Sequence, residues 1–104
     1  MPVTGKLKLL PRGVQVVPNS ATDLTTKDTW LYQLSVANKS AGAVTLQVLD
    51  KASTPRNVVP TINLDANSLA IMSWPEGVKC AGGVRWVASV SGALEAEVVG
   101  EVLP

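Results

Sequence analysis

The feature that most constrains this fold is the alternation of apolar and polar residues in short segments separated by glycine and proline. Residues on one face of a strand recur at every second position, whereas those on one face of a helix recur every 3.6 residues. The alternation is clearest in residues 29–38, 43–50, 68–74, 84–91 and 93–103, and no helical stripe longer than about one turn competes with it. The sequence therefore predicts an all-β protein, a single antiparallel β-sandwich or jelly-roll-like domain of roughly seven to nine short strands.

Residues 29–38 form the best-patterned strand. Strict alternation places four of its larger side chains on one face, namely Trp30, Tyr32, Leu34 and Val36. Because residues 38–42 are typical of a turn, we expect residues 29–38 and 43–50 to form a hairpin. Trp30 and Trp86 both fall on apolar faces, which predicts that both are core residues.

The chain of 104 residues is long enough for one domain. Within it, residues 1–18 are basic and contain three prolines, a pattern that favours an arm or edge strands over a central strand. Residues 19–104 are assigned to the β-sandwich. The basic side chains of Lys6, Lys8 and Arg12 precede the first acidic residue, and we expect them to face acidic groups on a neighbouring subunit or partner.

The chain has no histidine and one cysteine, which removes the usual general base near neutral pH and the commonest metal ligand. One thiol is too few for an internal disulfide or a thiolate zinc site. Glu95 and Glu97 would share a strand face, but a solvated face explains them better than a glycosidase carboxylate pair. We therefore predict a protein that is not an enzyme, with no catalytic residues, cofactor or metal.

The charge pattern also restricts the class of partner. A net charge of +1 provides no basic field for nucleic acid or anionic lipid. The first residues lack the apolar core of a signal peptide, and no apolar run approaches the ~18 residues of a transmembrane helix. Because charged residues make up only 16% of the chain, against the usual ~25%, the surface is suited to association. These patterns predict synthesis in a reducing cytoplasm and a protein partner.

Three further positions have a specific interpretation. Cys80 is interpreted as a small buried hydrophobic residue, because a reactive thiolate without a histidine partner is improbable. Gly82 and Gly83 are interpreted as a tight turn with positive φ. Trp74 ends a strand just before a proline, where a side chain is often half exposed, so it is a candidate for the core, for a subunit contact or for ligand stacking.

Three stretches resemble small β-sandwich virion proteins of tailed bacteriophages. They are the strand–turn–strand segment of residues 34–48, the Leu-Asp-Ala-Asn-Ser-Leu-Ala hairpin of residues 64–70, and residues 75–89 with the strand that follows. The resemblance implies a capsid decoration or cement protein, or a related tail or fibre module.

From this resemblance we expect a non-enzymatic structural protein, made in the bacterial cytoplasm and located on the exterior of the capsid. It would bind the major capsid protein and itself, as a trimer or dimer, and stabilise the capsid by bridging neighbouring subunits. The interface residues would include Lys6, Lys8, Arg12 and Trp74. The alternative is a carbohydrate- or receptor-binding module of a phage tail or fibre, for which Trp74 would be the stacking residue.

Overall fold

The computed structural model describes residues 8–9, 13–59 and 61–103. These residues form nine strands: β1 (Lys8–Leu9), β2 (Gln15–Val16), β3 (Thr22–Asp23), β4 (Thr29–Asn38), β5 (Val44–Asp50), β6 (Ile62–Leu64), β7 (Leu69–Cys80), β8 (Val84–Ala88) and β9 (Leu94–Val102). The described part of the chain has no helix, and hence none long and apolar enough to cross a membrane. The predicted all-β class is confirmed.

The strands form two antiparallel sheets. Sheet A has the order β1-β9-β4-β7, with β2 also pairing with β9, and sheet B has the order β3-β8-β5-β6. β1 and β2 pair with different parts of β9, so together they occupy the place of one strand. With β1 and β2 counted as one strand, the first strand pairs with the last, β9. Inwards from these, β3 pairs with β8, β4 with β7, and β5 with β6. This nested pairing, distributed over two facing sheets, is the jelly-roll arrangement, and it confirms the predicted sandwich.

The hydrophobic core lies between the two sheets. Its central side chains alternate with exposed or half-buried ones along each long strand, as the period-2 pattern predicted. The buried hydrophobic residues of the four central strands are Leu31, Leu34, Val36, Val44, Leu46, Val48, Val84, Trp86, Ala88, Leu94, Ala96 and Val98. The core thus takes its residues mainly from the strands that the sequence pattern identified.

The predicted hairpin between residues 29–38 and 43–50 is wrong, and so is the predicted hairpin of residues 64–70, because β6 and β7 belong to different sheets. β4 pairs with β7 and β9 in sheet A, whereas β5 pairs with β6 and β8 in sheet B. The intervening residues form a turn, as predicted, but this turn carries the chain from one sheet to the other. The buried amide of Asn38 supports the crossing by donating to the carbonyl oxygens of Gly42 and Leu64, at 2.9 and 3.0 Å.

The predicted face of β4 is also partly wrong, because the strand is irregular at Tyr32. Leu31 pairs with Gly100 and Gln33 with Val99, so one extra residue is inserted relative to β9. Such a bulge changes the side-chain alternation at that point. Leu31, Leu34 and Val36 therefore point into the core, whereas Trp30 is only half-buried. The prediction that Trp30 is a core residue is wrong, and the same prediction for Trp86 is confirmed.

Candidate interaction surface

The candidate site is the outer face of sheet A, the face turned away from sheet B. Along β9 the buried residues Leu94, Ala96 and Val98 alternate with Glu95 and Glu97, which therefore lie on this outer face. The register extends the face across the neighbouring strands, since Glu95 lies opposite Val16 of β2 and Ala37 of β4, and Ala37 lies opposite Leu69 of β7. Residues of four strands thus share one continuous surface.

One end of this surface is apolar, and we call it the apolar patch. It consists of Val14, Val16, Leu69 and Ile71, whose residues are 68%, 56%, 64% and 59% exposed. Across the sheet, Glu95 of β9 and Ala37 of β4 lie between Val16 and Leu69. Large hydrophobic residues are normally exposed singly on a soluble surface, and a cluster of them marks an interaction site.

The patch contains a shallow groove of about 200 Å³. Val14 and Leu69 line it together with Ser35, Ala37 and Ala96. Glu95 and Glu97 of β9 also line it, and they lie between β2 and β4 in the sheet. Glu95 forms an ion pair with Lys39, whose ammonium group lies 3.0 Å away. Because both partners of this pair are partly exposed, it contributes little to stability. The groove therefore has apolar side chains at both of its sides, Val14 and Leu69, with the two β9 carboxylates between them.

The other end of the outer face is aromatic. Trp30 lies opposite Glu101 and Lys79, and the bulged Tyr32 donates a hydrogen bond of 2.7 Å from Oη to Glu101 Oε1. This hydrogen bond, with burial and the carboxylate charge, raises the pKa of the Tyr32 phenol above its usual value. Gly77 packs here with a φ of +82°, and a Cβ at this position would lie 2.9 Å from Tyr32 Cε1. A glycine is required for this close approach.

Opposite the bulged Tyr32, β7 is itself irregular. Ser73 pairs with Gln33 and Val78 with Leu31, so the four residues 74–77 span the place of one. We call this segment the edge bulge. Trp74 continues the inward-facing set of Ala70 and Met72 and is partly buried against the core. With Pro75, Glu76 and Gly77 it lines an open depression of about 380 Å³.

Two of the predicted interface residues, Lys8 and Trp74, are among the described residues, and they lie apart. Lys8 lies in β1, opposite Val102, at one edge of sheet A, whereas Trp74 lies in β7 at the other edge. Lys6 and Arg12 fall outside the described residues. The pairing of β1 and β2 with β9 places the described parts of residues 1–18 at the sheet edge.

A cluster of three charged side chains lies on sheet B. The Asp23 carboxylate accepts hydrogen bonds from Lys51 Nζ at 2.6 Å and Arg85 Nε at 2.9 Å. The hydrogen bond from Lys51, followed by that from Arg85, lowers the pKa of Asp23 below its usual value. One carboxylate held between two cations has no proton to donate at neutral pH, so this cluster joins β3 to the sheet and offers no acid–base chemistry.

Cys80 is fully buried, and its thiol has a pKa raised to about 11, first by burial and second by the charge of Asp50. Because it is buried, Cys80 is a core residue, as predicted. A thiol of this pKa carries almost no thiolate at neutral pH. In residues 8–9, 13–59 and 61–103, no group of three or more His, Cys, Asp and Glu side chains is arranged to hold a metal ion.

Sequence reasoning missed the apolar patch. The available signal was in residues 68–74, where Leu69 and Ile71 alternate with Ala70 and Met72, so both faces of the strand are apolar. A strand with two apolar faces is buried on both sides or exposes one of them, and the pattern does not distinguish these cases. The alternation around Val14 and Val16 was a weaker signal of an exposed apolar face, because the strand there, β2, contains only Gln15 and Val16.

Comparison with known proteins identifies no relative. No protein-family model, no curated protein and no solved structure matches the chain.

Proposed function

We propose that this chain is a non-enzymatic structural protein that decorates the exterior of a bacteriophage capsid as a homo-oligomer. In this proposal the outer face of sheet A contacts the major capsid protein and bridges neighbouring subunits. The observation that carries the proposal is the apolar patch, where Val14, Val16, Leu69 and Ile71 are all more than half exposed on one sheet face. The resemblance of residues 34–48, 64–70 and 75–89 to phage virion proteins supplies the class of partner.

The architecture supports the proposal without deciding it. Jelly rolls occur in viral capsid proteins and in lectins, and a fold by itself does not assign a function. A broad sheet face with a shallow groove fits a flat protein surface better than it fits a small molecule, which is usually held in a deeper cavity. The shape of the site thus favours a macromolecular partner.

The energetics suit a repeated assembly. Burying an exposed Leu, Ile or Val side chain completely contributes about 1.5–3 kcal/mol, and part of this is offset by the cost of association. One patch therefore gives a weak contact. A homo-oligomer that binds several equivalent capsid positions at once converts weak contacts into stable attachment through multivalency.

The test is co-sedimentation of the purified protein with capsids of the phage that encodes it, after these capsids have been stripped of the protein. Val14→Lys combined with Val16→Lys places charge in the apolar patch, and we expect it to lower capsid binding at least about tenfold. Val90→Lys is the matched control, because Val90 is also exposed but lies in the β8–β9 turn. Equal binding by both variants, or no binding by the wild type, would contradict the proposal.

The basic N-terminal residues are the second part of this proposal. Lys6, Lys8 and Arg12 face acidic groups of the capsid, so binding should weaken as salt rises. Replacing all three by glutamate is preferable to deleting residues 2–12, since the deletion removes β1, which pairs with β9. The charge-reversed protein should fold normally and bind capsids less tightly. Binding that is unchanged by salt and by charge reversal would remove these residues from the interface.

A glycan- or receptor-binding module is the second candidate function, and the depression beside Trp74 favours it. An indole ring at the border of an open depression is a suitable stacking surface for a sugar ring. Titration with oligosaccharides, followed by tryptophan fluorescence, tests this candidate. A saturable change that Trp74→Ala abolishes and Trp30→Phe retains would support it in place of capsid decoration.

A further inference from the structure

β7 is an edge strand with one side unpaired. It lies at the end of sheet A, paired with β4, and within the described parts of the chain no strand occupies its other side. Residues 68–74 contain no charged residue and no proline. Natural edge strands are usually protected from pairing by charge, proline or a bulge. In β7 the first such feature is the edge bulge at residues 74–77. The backbone groups on the free side of residues 69–73 are therefore open to pairing with another strand.

The direction of the free backbone groups follows from the register. Asn38 N donates to Ser68 O at 2.8 Å, so the backbone groups of Ser68 face β4. In an antiparallel ladder the backbone groups of successive residues point to alternate sides. Ala70 and Met72 therefore bond to β4, and the N–H and C=O groups of Leu69, Ile71 and Ser73 point away from the sheet.

We propose that two copies of this chain pair through residues 69–73 of β7, antiparallel, about a two-fold axis at Ile71. This proposal deepens the proposed function by naming the interface of the homo-oligomer, and it rests on that function for its biological role. It makes the two A sheets one continuous sheet, with β7 of each copy at the centre.

The register follows from the positions of the outward groups. With the axis at Ile71, Leu69 meets Ser73 of the second copy and Ile71 meets its own equivalent, so each outward residue faces another. This register forms about six hydrogen bonds. Moving the axis to residue 70 places Ser73 opposite Asn67, which has a φ of +57° in the preceding turn. Moving it to residue 72 places Leu69 opposite Pro75, which has no N–H.

A second copy is the occupant that the composition of the edge favours. Pairing a strand with itself brings like charges together if the strand has any, and residues 68–74 have none. A two-fold contact also closes on itself, whereas a head-to-tail contact along an open edge continues into filaments. In the pair, Leu69 and Ile71 of both copies lie side by side on the outer face. The two apolar patches thereby merge into one larger surface facing the capsid.

Sedimentation equilibrium of the full chain at increasing concentration tests the proposal. The wild type should approach twice the monomer mass of 10.9 kDa, and Ile71→Lys should remain a monomer with unchanged melting behaviour. Val16→Lys is the matched control, because Val16 has nearly the same exposure but lies on β2, away from this edge. It should dimerise like the wild type. A monomeric wild type, or equal loss of dimer in both variants, would overturn the proposal.

Cross-linking tests the register. Opposed residues of a hydrogen-bonded antiparallel pair have Cα atoms about 5.5 Å apart, within the range that a disulfide spans. Ile71→Cys should therefore form a covalent dimer on mild oxidation with diamide, whereas Val16→Cys and the wild type, with only buried Cys80, should not. Failure of Ile71→Cys to cross-link in a protein that is dimeric would refute the axis at Ile71.

Capsid binding separates this proposal from the proposed function. A protein that is monomeric but binds capsids refutes pairing through β7 and leaves decoration intact. A β7 dimer that does not bind capsids refutes decoration and leaves pairing through β7 intact.

Discussion

The side-chain amide of Asn38, at the end of β4 in sheet A, donates a hydrogen bond of 3.0 Å to the backbone carbonyl oxygen of Leu64, at the end of β6 in sheet B. The same nitrogen lies within hydrogen-bond distance of the carbonyl oxygens of Gly42 and Asp65. Asn38 Oδ1 accepts from the backbone N and the hydroxyl of Ser40. One buried amide therefore joins the two sheets where the chain crosses between them.

We predict that Asn38→Ala destabilises the fold by about 2–4 kcal/mol, because it removes the donor to the buried carbonyl oxygen of Leu64 and leaves a cavity between the sheets. Urea unfolding followed by tryptophan fluorescence measures the change. Asn38→Asp retains the acceptor for Ser40 but replaces the donor by a buried carboxylate, so it should be at least as destabilised at pH 7 and partly recover as the carboxyl is protonated. An Asn38→Ala protein with wild-type stability would contradict the role of this amide.

Trp86 and Trp30 should differ in their effect on stability. Trp86 is 3% exposed in the core, and Trp86→Ala should cost about 3–5 kcal/mol, which is a large fraction of the stability of a domain of this size. Trp30→Ala should cost less, since Trp30 is half-buried on the outer face. Thermal melting followed by circular dichroism compares the two. Equal losses would contradict the assignment of Trp30 to the outer face.

Gly83 should tolerate no side chain. Its φ is +123°, and a Cβ would lie 2.3 Å from the backbone oxygen of Thr25, so Gly83→Ala forces the β7–β8 turn away from the loop that follows β3. We expect a loss of at least about 3 kcal/mol in unfolding free energy. Gly92 also has positive φ, of +72°, but a Cβ there meets no atom within 4 Å. Gly92→Ala should therefore cost only about 1–2 kcal/mol.

Acid should weaken the fold partly through Asp23. Because Lys51 and Arg85 lower its pKa in the folded state, Asp23 stabilises the protein above the pKa of the unfolded chain, about 3.9. This contribution is lost as the pH falls through the lower, folded-state pKa. We expect Asp23→Asn to reduce the melting temperature at pH 7 and to make it less dependent on pH below about 4. An unchanged acid dependence in this variant would show that other groups carry it.

Cys80 should react with a thiol reagent only after unfolding. The side chain is fully buried, and its pKa is raised to about 11. Labelling with an aromatic disulfide at pH 8 should therefore be slow in buffer and fast in denaturing urea, where the pKa returns to about 8.5. Rapid labelling of the native protein would show that the β7–β8 region opens frequently.

The sequence by itself determined the class of the fold, because strand periodicity depends only on neighbouring residues. The alternation in β5, β8 and β9 identified their buried faces correctly, and Gly82 and Gly83 marked a turn that needs positive φ. Cys80 was likewise recognised as a core residue. These features are local, and each follows from the chemistry of a few adjacent side chains.

Only the tertiary structure decided which strands pair and which apolar faces stay exposed. The turn after β4 was recognised, but the partners of β4 are more than thirty residues away in the chain, and a local pattern does not encode that choice. The bulge at Tyr32 moved Trp30 from the core to the outer face, since one inserted residue exchanges the two faces of a strand. The exposure of Leu69 and Ile71 was decided by the position of sheet B. Both faces of β7 are apolar, but sheet B covers only the face that carries Ala70 and Met72.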